Sequence, residues 1–503
     1  VRIGRYCYWR GDEEKGPDEA PEIVRRRDDL VRLLDSAAAK LPADDWLAGQ
    51  FVRYLVEAGR GKDALQFASA GCRATPSWCA ALGGYAAHMS GRFAAADSAY
   101  AVSLAEMEPA ERCEWLDISR IVDDETEGRL RKLGCDARAG LARRVLRLGS
   151  PLYSVSSTDL FTEHLARVTR GRIAEHAASP DGESWADDQR ALTIRYGWPS
   201  WYSRPVPSTM TIYDRPSIMG HDDGKPYDFL PSGQALDRIG HITSDDWTLD
   251  DPHAITGYAP SYARSVHDVP GQLAVFRRGD STLIVGAWDA RRDTTLIGRT
   301  LVAAVALATD STAVVIARDT TAKAVGHISG TGLIDSGLVS LELLATSDRR
   351  AARMRTGLPA RTTGRVALSS LLLYAPSVEP AYTIGAVQDS ALPSAIIPMS
   401  RAVGVYWEVY GLHDAGEPVH YSLTVEQVGV SWARRAAEHL HLADPTTALR
   451  LQWDEVARPE AHVAGRGVRV DLSRLRGGRY VVTLDVEARD GARASATKEV
   501  EVR

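Results

Sequence analysis

Lysine is nearly absent from a chain that is otherwise well supplied with charge. Seven lysines (Lys15, Lys40, Lys62, Lys132, Lys225, Lys323 and Lys498) stand beside 53 arginines, and 66 acidic side chains bring the net charge to −6 over 503 residues. That balance excludes a whole-surface attraction to nucleic acid or anionic lipid, and the arginine bias reads as genomic base composition. Long apolar runs are missing as well. Uncharged stretches such as 366–378 are diluted by serine and proline and fall short of the roughly 18–20 apolar residues that a membrane-spanning helix needs, so no transmembrane segment is expected. The last absence is positional: all five cysteines (Cys7, Cys72, Cys79, Cys113 and Cys135) lie in the first 135 residues and none follows.

The cysteine spacings exclude several chemistries. Zinc sites need paired CxxC or CxxH spacings, a thioredoxin-like site needs CxxC, and haem attachment needs CxxCH; none occurs, so haem is not expected. Disulfides in an oxidising compartment account better for cysteines confined to one region. Cys72 with Cys79 and Cys113 with Cys135 are the local pairs, although spacing alone leaves the connectivity open. Cys7 is then unpaired, or its partner lies upstream of Val1 or on another chain. Buried free thiols in a reducing compartment are the alternative. The start at Val1 rather than at a methionine is expected of a chain whose leader was removed or whose numbering begins inside a precursor.

Catalytic signatures are also missing. HExxH, the Walker A loop, GxSxG and GxGxxG after a strand do not occur, and Gly326-His327-Ile328-Ser329-Gly330 lacks a serine at its centre. The histidines of Glu438-His439-Leu440-His441 diverge on a helix and read as solvent-exposed. Glu163 and His164 read as a capping carboxylate and a packed histidine. Oxygen-rich loops suit calcium, which makes Asp222, Asp223 and Asp228 weak metal candidates, without EF-hand spacing. The tripeptides Arg10-Gly11-Asp12 and Arg278-Gly279-Asp280 read as turns. No catalytic residue, cofactor or firm metal site is assigned.

What is present is a change of period along the chain. At 44% hydrophobic and 25% charged residues the composition is that of folded protein, and the length fits about three domains of roughly 100–200 residues each. From Glu22 to Val145 apolar residues recur at helical spacing. Asp45-Trp46 recurs as Ser77-Trp78, Glu57-Ala58-Gly59-Arg60 as Met89-Ser90-Gly91-Arg92, and Ala64 as Ala96, each 32 residues apart. Helix, Gly-Arg turn and second helix make the plan of an α-solenoid, similar to the tetratricopeptide repeat, which would present a groove to a peptide. A segment ending in Arg195-Tyr196-Gly197-Trp198-Pro199 reads as an element closed by a tight turn. Residues 203–270 are rich in Pro, Gly, Asp and Tyr, and read as an arm on its own domains or on a partner. After Gly271 the period becomes two, with a Gly-Asp hairpin between Gln272–Arg278 and Ser281–Trp288 and further strands at Leu301–Leu307, Thr312–Ala317, Leu338–Ala345 and Arg365–Tyr374. A second β set starts at Val403 and ends at Val502.

The expected fold class is therefore multidomain α + β, an α-helical TPR-like domain followed by two β-sandwich domains of immunoglobulin type. Its expected boundaries are 1–200 for the disulfide-bearing helical domain, 201–270 for an irregular connection, 271–400 for one sandwich and 401–503 for the second. Trp185-Ala186-Asp187-Asp188, the Gly197-Trp198-Pro199 turn, Phe276-Arg277-Arg278-Gly279-Asp280, Tyr406-Trp407-Glu408-Val409-Tyr410-Gly411-Leu412 and Leu472 to Tyr480 together resemble bacterial GWxTD-domain proteins. In this chain Pro-Ser follows the Gly-Trp pair, where that family has its Thr-Asp spacing. The resemblance implies export, a periplasmic, surface or extracellular setting and a modular build, and it transfers no catalytic residue. The expected function is non-enzymatic: an interaction or structural subunit of an envelope or extracellular assembly, binding protein partners or copies of itself. The alternative is a carbohydrate-binding protein or hydrolase that uses loop carboxylates with Trp198, Trp201 or Trp247 as sugar platforms.

Overall fold

A computed structural model describes the chain except for residues 1, 4–5, 9–15, 178–186, 204–217, 222–223, 244–246, 248, 250–253, 362–363, 378–379, 400–401, 414–415, 429–446, 458, 461 and 474. It is mixed α and β, with an N-terminal helical region followed by several sheets. Two compact units divide it: Val1–His267 with Ala308–Val314 and Thr346–Ala351, and the remainder from Asp268 to Arg503.

In the first unit the helices are α1 (Pro21–Lys40), α2 (Asp45–Glu57), α3 (Gly61–Gln66), α4 (Pro76–Met89), α5 (Phe93–Glu106), α6 (Pro109–Trp115), α7 (Asp124–Leu130), α8 (Cys135–Leu148), α9 (Asp159–Ala174), α10 (Asp187–Tyr196) and α11 (Gly233–Asp237). Local sequence sets many of their starts. Proline opens α1, α4 and α6, where its missing N–H is not needed. Asp44 and Asp123 cap α2 and α7 by accepting from Leu47 N and Thr126 N at 2.9 and 2.8 Å.

The 32-residue recurrence is visible in the backbone. Gly59 and Gly91 both take positive φ, 70° and 68°, which lets Arg60 N reach back to Leu55 O and Arg92 N to Ala87 O in matching helix-ending turns. Ala64 and Ala96, one turn further on, are both fully buried. Trp78 is buried and donates from Nε1 to Asp45 O at 2.8 Å, whereas its counterpart Trp46 is largely exposed. Two disulfides staple the region, Cys72–Cys79 across 5.9 Å and Cys113–Cys135 across 5.6 Å between Cα atoms. The side chain of Cys7 lies outside the described residues.

The inner faces of α2, α4 and α5 are not an open groove. Helix α9 lies against all three and against α8 and α10, and it is buried on nearly every side, from Asp159 to Ile173. Gln50 Nε2 donates to Ile173 O at 2.8 Å, and the Tyr100 hydroxyl meets Thr169 Oγ1 at 3.3 Å. A helix buried all round is a core element rather than an amphipathic surface one.

Four short strands complete this unit: β1 (Arg2–Ile3), β2 (Tyr6–Tyr8), β3 (Trp201–Ser203) and β4 (Ile218–His221), in the order β1-β2-β4-β3. β5 (Ser265–Asp268) follows. The described part of 201–270 is well packed in places. Tyr227, Phe229, Trp247, Tyr258 and Ala263 are buried, and Tyr227 and Tyr258 form a backbone bridge.

The second unit is built from β6 (Gly271–Arg278), β7 (Ser281–Asp289), β8 (Leu301–Ala308), β9 (Ala313–Thr321), β10 (Val325–Gly332), β11 (Gly337–Ala345), β12 (Arg350–Leu358), β13 (Ala367–Leu368), β14 (Leu372–Tyr374), β15 (Ile396–Ile397), β16 (Ala402–Tyr410), β17 (Glu417–Gln427), β18 (Thr447–Ala457), β19 (Val463–Asp471), β20 (Gly478–Ala488) and β21 (Arg493–Val502). The β6–β7 hairpin turns at Gly279, whose φ is 57°. β10 and β12 carry too few branched apolar residues to stand out in the sequence. The single strand expected over Arg365–Tyr374 is instead two short ones, β13 and β14, which both pair with β16.

Alternation decides what these strands bury. Leu273, Ile284 and Trp288 from the β10-β7-β6 sheet share one apolar core with Leu301, Val305, Val339 and Leu341 of β8 and β11. A second core holds Val405, Trp407 and Val409 of β16 with Tyr421, Leu423 and Val425 of β17 and Val482, Leu484 and Val486 of β20. Trp407 is fully buried, and Trp453 stacks on Tyr421 at 5.1 Å beside it. Among the described residues no helix is long and apolar enough to cross a membrane.

Candidate functional site

The polar groups that α9 carries into the first unit's interior converge on His88, near the end of α4. Glu163 and Arg167 are one helical turn apart and pair at 2.6 Å, Arg167 Nε to Glu163 Oε1. The other carboxylate oxygen meets His88 Nε2 at 2.7 Å, and His88 Nδ1 lies 2.9 Å from Thr162 Oγ1. Arg167 spends its remaining donors on backbone, reaching Ile194 O, Arg195 O and Gly257 O at 2.8–3.0 Å. One guanidinium thus ties α9 to the end of α10 and to the 254–264 loop.

Burial pushes the Glu163 carboxyl up, but the Arg167 guanidinium and the His88 ring outweigh it and hold it at about 2. For Asp159, one turn earlier, burial prevails. Burial raises its carboxyl to about 6, against the opposing bond from the Tyr262 hydroxyl at 2.6 Å. His164 points away from this group and is buried, with Nε2 3.1 Å from Trp115 O; burial lowers it to about 4.

Above the cluster the chain turns at Gly197, whose φ is 77°. A Cβ there would lie at ordinary contact distance from an Arg167 nitrogen (3.5 Å) and Glu163 Oε1 (3.7 Å), so it is the backbone conformation that favours glycine. Trp198 packs on Tyr85 at 5.8 Å and under the Arg170 guanidinium at 5.5 Å. Beside this turn is a partly open cavity of about 280 Å³, bounded by His88, Glu163, Arg167, Trp198, Tyr258, Arg264 and Arg349, all within the first unit. Arg264 N donates to Arg349 O at 2.6 Å and holds the two arginine-bearing segments side by side.

Several sequence expectations are corrected by this geometry. Glu163 does not cap α9, because it sits a full turn inside the helix and is consumed by Arg167 and His88. Trp247 is not an exposed sugar platform: it is 5% exposed and donates to Phe229 O. Trp201 has one face covered by His221, stacked at 3.8 Å. Asp228 accepts from Leu230 N in a local turn, while Asp222 and Asp223 lie outside the described residues. Glu438 to His441 and Arg10 to Asp12 also lie outside them. Arg278 of the second Arg-Gly-Asp string is held bidentate by the buried carboxylate of Glu408. Among the described residues no three His, Cys, Asp or Glu side chains gather as metal ligands would. Sequence reasoning missed His88 and Arg167. The four-residue spacing of Glu163 and Arg167 within a helical pattern was the available signal for that pair.

No family model matches the chain, and no curated protein matches it. Among solved structures it is similar to a red sea bream transglutaminase at 12% identity, over 48% of this chain and 32% of that one, with a TM-score of 0.15. It thus spans about a third of that enzyme's length. A tetra-tandem repeat from the extending region of a large adhesion protein is 16% identical over 47% of this chain and 50% of its own, with a TM-score of 0.16. A 1.5-MDa bacterial ice-binding adhesin, in a structure concerned with host cell surface retention, gives 10%, 47%, 66% and 0.15 for the same quantities.

Proposed function

We propose that this chain is a non-enzymatic exported bacterial protein, an interaction or structural subunit of a cell-envelope, surface or extracellular assembly. The observation that carries the reading is the pair of disulfides in the helical unit, since disulfides persist in oxidising compartments. The build of the β unit agrees with it. Each pair of sheets sharing a core is read as a sandwich, and the last is read as immunoglobulin-like. There the Tyr480 hydroxyl donates to Arg476 O, four residues upstream, in the manner of a tyrosine corner. The matching Gly59-Arg60 and Gly91-Arg92 turns support a tetratricopeptide-like origin for α2–α5, and the Gly197-Trp198 turn supports the GWxTD relationship.

Cell fractionation with non-reducing mass spectrometry tests this. The expected result is extracytoplasmic protein yielding Cys72–Cys79 and Cys113–Cys135 peptides, retained with partners or copies of itself in envelope pull-downs. Free thiols in a cytosolic fraction would overturn export. A monodisperse monomer by light scattering that retains nothing would overturn the assembly role.

A further inference from the structure

Helix α1 carries more apolar surface than its packing on α2 covers. Val31, Leu34 and Ala38 are its buried residues. A second apolar row runs beside them: Ile23, Leu30, Leu33 and Ala37, at steps of seven, three and four residues. Ile23 is 56% exposed and Leu33 66%, while Leu30 and Ala37 are half-buried. Leu41, just past the helix end, is exposed as well. Scattered exposed leucines are ordinary, but this spacing is that of a coiled-coil seam, in which each apolar side chain packs into a facing helix. Arg26 and Lys40, both exposed, complete the same seam.

The charges of the seam select what faces it. In two parallel copies each position would face itself, so that Arg26 would meet Arg26 and Lys40 would meet Lys40, and such like-charge contacts are costly in an interface. Two antiparallel copies with the two-fold axis between Leu30 and Leu33 remove both contacts. Leu30 then faces Leu33 of the second copy, Arg26 faces Ala37, and Ile23 faces Lys40. Each long cation lies opposite a small or apolar residue, where its stem covers apolar surface and its charged end reaches water. Lys40 also comes beside Glu22 of the second copy, which is opposite in charge.

We propose that α1 is a self-association helix, through which two copies of this chain pair antiparallel along Ile23, Arg26, Leu30, Leu33, Ala37 and Lys40 as a two-fold dimer. The proposal deepens the assembly reading by naming a second copy as one partner, and it rests on that reading for its setting.

A seam this short should give a dimer that dissociates on dilution. Sedimentation of the full chain should show a monomer–dimer equilibrium between about 1 and about 100 µM. Leu33→Glu should weaken it about a hundredfold, because two leucines leave the centre of the seam and two carboxylates enter. The melting temperature of the dilute chain should stay level, since Leu33 is exposed in the single copy. Leu33→Met should keep the dimer. For orientation, oxidation of mixed Ile23→Cys and Lys40→Cys chains should link position 23 to position 40 in preference to 23 with 23. A chain that stays monomeric at about 100 µM, a dimer that Leu33→Glu leaves intact, or a predominant link of 23 with 23 overturns the proposal. Envelope pull-downs keep the two readings apart, because the assembly reading survives a monomeric chain only if other proteins are retained.

Discussion

The interior around α9 and the interior around Trp407 are both buried, yet they are specified by different means. Around Trp407 the contacts are Val, Leu, Tyr and Trp from facing sheets, and strand register decides which residues point inward. Around α9 the interior includes Asp159, Thr162, Glu163, Arg167 and His88, and hydrogen-bond partners decide the placement. An apolar core tolerates shape-conserving change, whereas a buried ion pair does not tolerate loss of one member. The interior around α9 is thus the more specified of the two and the more brittle.

Glu163→Ala should break this contrast most sharply. It leaves Arg167 and His88 buried without their carboxylate and should cost about 4 kcal/mol in denaturant unfolding of the first unit. In the β core, Leu423→Ala should cost about 3 kcal/mol through the cavity it leaves, with the fold retained. If Glu163→Ala costs less than Leu423→Ala, the two interiors are not distinguished by their polarity. Replacing Cys113 and Cys135 together by serine should lower the first unit's stability by roughly 2–4 kcal/mol and leave the second unit's transition unmoved. Asp44→Ala, which removes the cap of α2, should cost about 1 kcal/mol.

Acid should act on the helical interior as well. His164 is held below its usual value, so on acidification the unfolded chain takes up its proton first and stability falls between pH 6.5 and about 4. Asp159 is held above its usual value, so in the folded state it takes up its proton first and adds stability as pH falls from about 6 towards 3.8. The two oppose one another. Asp159→Asn should therefore uncover a decline between pH 6.5 and 4 that the wild type shows only weakly. Below pH 4.5 the depressed Glu163 adds a further loss as pH falls towards 2. Urea midpoints measured from pH 7 to 3 would show both, and a flat Asp159→Asn profile would remove the His164 contribution.

Legibility followed the range of the interaction. The Gly59 and Gly91 turns, the hairpin at Gly279 and the inward face of Val405, Trp407 and Val409 are local patterns, and they could be read directly. The burial of α9 could not, because it depends on helices up to 123 residues away, as in the bond from Gln50 to Ile173. His88 and Glu163, 75 positions apart, carry no mutual signal in one sequence. Tyr227, Phe229 and Tyr258 sit in a segment without periodicity, so composition marked a connection lying on its own domains or on a partner but not which of its residues are buried.

The central position of α9 also orders events in time. Residues 45–148 leave the ribosome before the helix on which their inner faces close, and at roughly 5–20 residues per second that interval lasts seconds. During it Trp78 and Tyr85 have no α9 to cover them, while both local cysteine pairs have already emerged. A nascent chain stalled before Asp159 would thus be an early client for holding chaperones, because the helix that completes the core has not yet been made.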